Sequence, residues 1–270
     1  MSSPHLHWLE NSDQRVLGAL RCVDVNTGAR ISAALDVRLG GVHLPRNRSG
    51  LYIIDGLPGW QAHAAAFDAA PDSPAPGSVT LTGSISDPGG HHLPRRFELP
   101  LPRRADPLDA DQPDSLFEPA RLALYPAPAA GTGVNWCVLR ISVRETASGN
   151  ALGGALLLVR VGERVLASGL SDWRGEALVG VPGVPVTTWS TEPGAVVVTE
   201  TAAELQLIFD PLQGSSTPAA QVRAGLAPAP LPMVDPDQLL QHRATLPGLS
   251  QAQSLAAGVT RIVSLALALP

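Results

Sequence analysis

Lysine is absent from this chain: all nineteen basic residues are arginine. Aromatic residues make up 4% of the 270 positions, and only two cysteines occur, Cys22 and Cys137. Two thiols cannot supply a four-ligand zinc site or the disulfide framework of a small secreted domain. Both are expected to be buried and free, because an unreacted cysteine packs like a small hydrophobe. Long apolar runs are missing too. The nearest candidate, SLAAGVTRIVSLALALP, is shorter than the roughly 20 residues that span a bilayer, and Arg261 sits in its middle. The segment MSSPHLHWLENSDQR has neither the basic start nor the apolar core of a signal peptide. A soluble protein of a reducing compartment, with no membrane span, is the expectation.

Catalytic and metal signatures are equally scarce. No HExxH, CxxC or GxSxG element is present, and GTGVNW from Gly131 lacks the residues of a phosphate-binding loop. Asp109, Asp111 and Asp114 lie close together, but the glycine and closing glutamate of a calcium loop are missing. His5 with His7, and His91 with His92, have no carboxylate or thiol at ligand spacing. No cofactor, metal or catalytic residue is therefore expected, and the chain is not expected to be an enzyme. With a net charge of −5 and an isoelectric point near 5.8, the molecule as a whole repels polyanions, so nucleic acid is not an expected partner.

Turn formers, by contrast, are abundant, with 26 glycines and 26 prolines. They favour many short strands over long helices. One pattern occurs twice. VLGALRCVDVNTGARISAALDVRLGG, from Val16, is echoed by CVLRISVRETASGNALGGALLLVRVGE, from Cys137. Each copy runs strand, turn (Thr27-Gly28 or Ser148-Gly149) and strand, and closes downstream on LPG or VPG, at Gly59 and Gly183. Side chains alternate faces along a strand. In the second copy Cys137, Leu139, Ile141 and Val143 therefore share an apolar face; superposing the turns places Val16, Gly18, Leu20 and Cys22 on the equivalent face of the first.

After the first repeat, GSVTLTGSIS and RFELPL flank DPGG, a hairpin signal. The second of these strands carries Arg95, Phe97, Leu99 and Leu101 on one face and Arg96, Glu98 and Pro100 on the other. Its prolines place it at a sheet edge, where missing amide donors and charges discourage stray pairing. Arg95 and Arg96 are thus read as edge decoration, and secondarily as contacts to a partner.

Five segments follow: an N-terminal arm (1–15), a first sandwich module (16–101), a Pro/Asp-rich linker (102–133), a second module (134–212), and an extended connector with C-terminal helices (213–270). In the last, Asp235-Pro236 reads as an N-cap and first turn. Ser250 opens a longer expected helix in which Leu255, Val259, Ile262 and Ala266 recur at helical spacing. Its apolar face would dock on a partner or on the body of the protein. Trp60 and Trp173, next to turns, are alternative glycan contacts.

The order strand, TG turn, strand, polar loop, Gly, strand, LPG resembles the carboxypeptidase-regulatory-like group of transthyretin-like, or prealbumin-like, β-sandwich modules. The resemblance implies an all-β fold of two tandem small sandwiches, joined by the Pro-rich linker and followed by a partly helical extension. The whole chain is also similar, more loosely, to accessory structural proteins of phage-tail-like contractile injection particles. That similarity implies a non-enzymatic adaptor, cytoplasmic or part of a cytoplasmically assembled particle, whose partners are other protein subunits.

Overall fold

The computed structural model describes residues 15–66, 71–185, 188–189, 196–197 and 200–269. The fold is all-β. In the first module β1 (Gly18–Asp24), β2 (Asp36–Leu39), β3 (Val42–His43) and β4 (Tyr52–Ile54) are followed by a short helix α1 (Gln61–Ala65), then β5 (Val79–Ser86), β6 (Arg95–Leu101) and β7 (Ala120–Leu124). One sheet has the order β4-β1-β7 and the other β3-β2-β5-β6.

The second module repeats this seven-strand plan and adds four short strands. Its elements are β8 (Cys137–Glu145), β9 (Ala151–Gly153), β10 (Leu156–Val161), β11 (Arg164–Leu170), β12 (Glu176–Val181), β13 (Thr188–Trp189), β14 (Val196–Val197), β15 (Thr201–Ile208), β16 (Ser215–Thr217), the helices α2 (Ala219–Arg223) and α3 (Pro236–Gln241), β17 (Gly248–Leu255) and β18 (Thr260–Leu267). The added strands are β9, β13, β14 and β16. β8 lies between β12 and β18, and the facing sheet runs β11-β10-β15-β17. In both copies the first strand pairs antiparallel with one neighbour and parallel with the last strand of its module, β7 or β18.

The repeated turn is the same object twice. The Gly28 amide donates to the Asp24 carbonyl at 2.9 Å and the Gly149 amide to the Glu145 carbonyl at 3.0 Å. Both glycines have φ near +70° (68° and 69°), in the left-handed region that a β-carbon disfavours. Acidic side chains tighten each loop, Asp24 accepting from the Thr27 hydroxyl and Glu145 from the Ser148 hydroxyl.

The alternation read from sequence holds for Cys137, Leu139, Ile141 and Val143 and for Leu20 and Cys22, all buried. It stops short of Val16, which is exposed while Leu17 is buried, because the strand begins only at Gly18. Each sandwich encloses its own core. Leu20, Cys22, Val37, Ile54, Phe97 and Leu122 belong to the first; Cys137, Leu139, Val179, Leu207, Leu255 and Leu265 belong to the second. Removing such a side chain from water contributes about 1.5–3 kcal/mol apiece, which is why the duplicated pattern folds twice. Cys22 and Cys137 are free and buried in different cores.

Two sequence expectations are corrected. The helix expected from Ser250 is two strands: β17 pairs antiparallel with β15, and β18 runs parallel to β8 along its length. Gly258, at φ 73°, turns the chain between them, so Leu255 and Ile262 lie on strands of different sheets. The segment 102–133 is only partly a linker, since its residues 120–124 form β7 and complete the first sandwich. The helical character of the extension resides in α2 and α3, the latter capped as expected by the Asp235 side chain, which accepts from the Asp237 amide at 3.0 Å.

Residues 213–247, inserted between β15 and β17, act as a strap from the second module to the first. Val234 and Leu239 of the strap pack with Tyr125, Leu156, Leu158, Leu170 and Ile208 in a third apolar cluster between the sandwiches. β10 is consequently buried on both faces over residues 156–159. In addition, the Ser168 amide donates to the Asn26 side-chain oxygen in the first TG turn, at 2.8 Å.

Candidate functional site

The arginine-rich stretch from His91 to Arg104 turns inward. Arg95 is 1% exposed. Its Nε donates to the Arg96 carbonyl at 2.9 Å and its Nη1 to the Ala123 carbonyl at 2.8 Å. Its Nη2 donates to Asp235 Oδ1 at 3.2 Å and also to Asp237 Oδ2. Burial raises the Asp235 carboxyl above its ordinary range, with the Arg95 charge opposing that rise. Arg95 is therefore neither edge decoration nor a contact to another protein but an internal clasp that holds the strap on the first module. Arg96 is exposed, and its backbone amide donates to the Val234 carbonyl of the strap at 2.8 Å. As the prolines indicate, β6 is an edge strand, and the strap screens it.

Arg103 is likewise used internally. It is 8% exposed and donates to the carbonyls of Ser115, Pro113 and Glu118, shaping the loop before β7. At the start of the stretch Asp87 accepts from the amides of Gly89 (2.8 Å), His91 (3.1 Å) and His92 (3.1 Å), and contacts the His92 ring at 3.0 Å. Burial opposes its ionisation, yet these hydrogen bonds more than offset that and hold its carboxyl below the ordinary range. His91 and His92 thus serve a hairpin turn. Among the described residues no three His, Cys, Asp or Glu side chains cluster at metal-binding distance.

The tryptophan alternatives give little. Trp60 is 8% exposed and belongs to the first core, so it offers no open ring face. Trp173 is half-buried, with the Arg174 guanidinium 5.9 Å from its ring centroid. It lines a hollow of about 30 Å³ beside Leu93 and Pro232, room for about two waters.

Of the residues expected on a docking helix, Leu255 is fully buried in the second core. Val259 is 38% and Ile262 85% exposed. Ile262 sits on β18, whose structural setting is unusual. Val138 donates its amide to the Val259 carbonyl and Thr146 to the Leu267 carbonyl, each at 2.9 Å. Odd-numbered residues therefore face β8, and successive backbone groups alternate sides in a parallel ladder. The N–H and C=O groups of Thr260, Ile262, Ser264 and Ala266 consequently point away from β8, and no strand pairs with that edge among the described residues.

The first module shows what a closed edge looks like. On β7, the equivalent strand, the outward Ala123 carbonyl accepts from Arg95, and beyond it the Tyr125 carbonyl accepts from the Leu93 amide at 2.9 Å. The position of β17 that corresponds to Arg95 is Gln251, because Ile85 and Leu205 pair with the equivalent Val37 and Val159. Its side chain is exposed, and no arginine stands there to clasp β18. β17 and β18 also lack the proline, bulge and dense charge that usually blunt an exposed edge.

The outer face beside this edge is basic. Arg140, Ser142 and Arg144 of β8 lie in register with Ile262, Ser264 and Ala266 of β18. Arg140 donates to the Pro128 carbonyl at 3.0 Å and Arg144 to the Gly149 carbonyl at 3.4 Å; neither meets a carboxylate among the described residues. A groove of about 430 Å³ runs here between Pro128, Arg140, Arg174, Glu176 and Ile262. Arg174 is neutralised by Asp172 at 2.9 Å and Glu176 at 3.2 Å. Sequence reading named Ile262 without the strand that carries it. It missed Ser264, Arg140 and Arg144, whose convergence with Ile262 and Ala266 depends on pairing between segments more than a hundred residues apart.

No protein family and no curated protein matches this chain. Among solved structures, it is similar to BcpA, the major pilin subunit of Bacillus cereus, with 8% identity and a TM-score of 0.23 over 95% of this chain and 60% of that one. The chain thus spans less than two thirds of that pilin.

Proposed function

We propose that this chain is a non-enzymatic structural or adaptor subunit of a larger assembly, which docks a partner subunit along the β18 edge of its second sandwich. The carrying observation is the difference between two equivalent edges: β7 is closed by Arg95 and the Leu93 amide, while the outer edge of β18, with the backbone groups of Thr260, Ile262, Ser264 and Ala266, meets no pairing strand among the described residues. Unpaired strand edges are templates for another chain, and adding a strand is an established mode of recognition. The strap supports the reading further, because it makes the two modules one stiff spacer. The narrower reading, an accessory subunit of a contractile injection particle assembled in the cytoplasm, draws its support from the sequence resemblance of the tandem modules.

The test is a photo-crosslinking residue at position 262, expressed in cells of the source organism. Attachment to a discrete protein subunit, lost when Ser264→Pro removes an outward amide, is the expected result. Absence of any protein adduct from position 262 would overturn the reading.

A further inference from the structure

We infer that the β18 edge accepts an extended acidic strand of the partner, with Asp or Glu at every second position and β-branched or aliphatic residues between them. This rests on the docking reading above and adds the chemistry of the occupant. An added strand of eight residues would lie along about 26 Å of β18 and about 10 Å from β8, two inter-strand spacings away. Its alternate side chains would fall on two different surfaces. Those on the inner side continue the row of Val263, Leu265 and Leu267, which are buried toward the sandwich core. Those on the outer side approach Arg140 and Arg144.

Between these arginines and the added strand stand Ile262, Ser264 and Ala266. The two smaller residues leave a path over which Arg144 can extend, and an arginine laid along a sheet keeps its guanidinium free for a carboxylate. The acidic group on this face is accounted for: Glu176, opposite Ser142, pairs with Arg174 at 3.2 Å. Arg140 and Arg144 therefore carry the uncompensated charge. A second copy of this chain is a poorer occupant. Its own β18 would bring Thr260, Ile262, Ser264 and Ala266 to the outer face, with no acid among them, and a second pair of arginines behind them.

The experiment uses the full chain and two labelled peptides, acetyl-Thr-Glu-Val-Glu-Thr-Glu-Val-amide and its counterpart with Lys for Glu. At low salt the acidic peptide is expected to bind at least ten-fold more tightly. Amide exchange followed by NMR should show Thr260, Ile262, Ser264 and Ala266 newly protected, while Val263 and Leu265 are already slow in the free protein. Ser264→Pro should abolish binding yet leave Val263 and Leu265 slow, which shows that the fold is intact. The double variant Arg140→Glu/Arg144→Glu should reverse the preference toward the Lys peptide. Equal binding of both peptides, or protection elsewhere, would overturn the inference. So would dimerisation of the free protein with protection of the same four amides, which would assign the edge to a second copy. Failure of both peptides alongside successful crosslinking from position 262 would discard the acidic chemistry and keep the docking edge. Four slow amides in the free monomer would discard both.

Discussion

Arg95 and Asp235 lie 140 residues apart in sequence, and a 3.2 Å contact between them, with both side chains almost wholly buried, joins the first sandwich to the strap of the second. Removing one member of a buried ion pair strands the other, at a cost of about 3–5 kcal/mol. Arg95→Ala is therefore expected to lose stability in that range in urea titrations. Arg95→Met combined with Asp235→Asn should recover much of the loss, since the pair is removed together and the asparagine still caps α3.

Asp87 sets a pH dependence. Its carboxyl is held below the ordinary value of 3.8 in the folded chain, so between the two values the unfolded state binds more protons. The contribution is fully present above the unfolded value and is lost as pH falls through the lower, folded one. Asp87→Asn should lower stability at neutral pH and flatten the acid limb of the stability profile, measured by denaturation at a series of pH values.

The paired turns offer a test of the duplication. Gly28→Ala and Gly149→Ala each force a β-carbon into the left-handed region and should each cost about 1–2 kcal/mol. Their effects should add, because the turns stabilise different cores. Unequal costs would show that Arg121, whose Nη2 lies 3.2 Å from the position of a β-carbon at Gly28, modifies the first turn.

Strand and helix readings of the C-terminal segment part company at two residues. Leu265 is 3% exposed and Ile262 85%. Leu265→Ala should cost about 2–5 kcal/mol as a core truncation, whereas Ile262→Ala should leave the melting temperature nearly unchanged. A large loss at Ile262 would contradict the strand.

Both thiols should be silent toward a maleimide or disulfide reagent until the chain unfolds. Cys22 is buried, and desolvation, only partly opposed by the charges of Arg46 and Arg95, pushes its thiol up to about 12, far from the thiolate that reacts. A count of two reactive thiols in denaturant and none in buffer is the expected outcome.

Much of the fold was legible because its signals are local. The parity of Cys137 to Val143, the TG turns and the hairpin around Asp87 each follow from side-chain alternation or from the φ angle that glycine permits. The C-terminal strands were misread for an equally local reason: Leu255, Val259, Ile262 and Ala266 fit a helical period by coincidence across a turn at Gly258. The candidate site was the least legible part. Its arginines sit on β8 and its edge on β18, and only the parallel register from Thr260–Val138 to Leu267–Glu145 brings them together. The inward turn of Arg95 depends likewise on a strap that leaves the second module and returns to it.

The strap also means that the covalent boundary and the mechanical boundary differ. A protease nick in the connection around Gly131 would sever the backbone between the sandwiches, yet Val234, Leu239 and the Arg95 clasp would still bind the halves. The two fragments should then travel as one particle through gel filtration, and dissecting this chain at its apparent hinge would yield pieces that refuse to part.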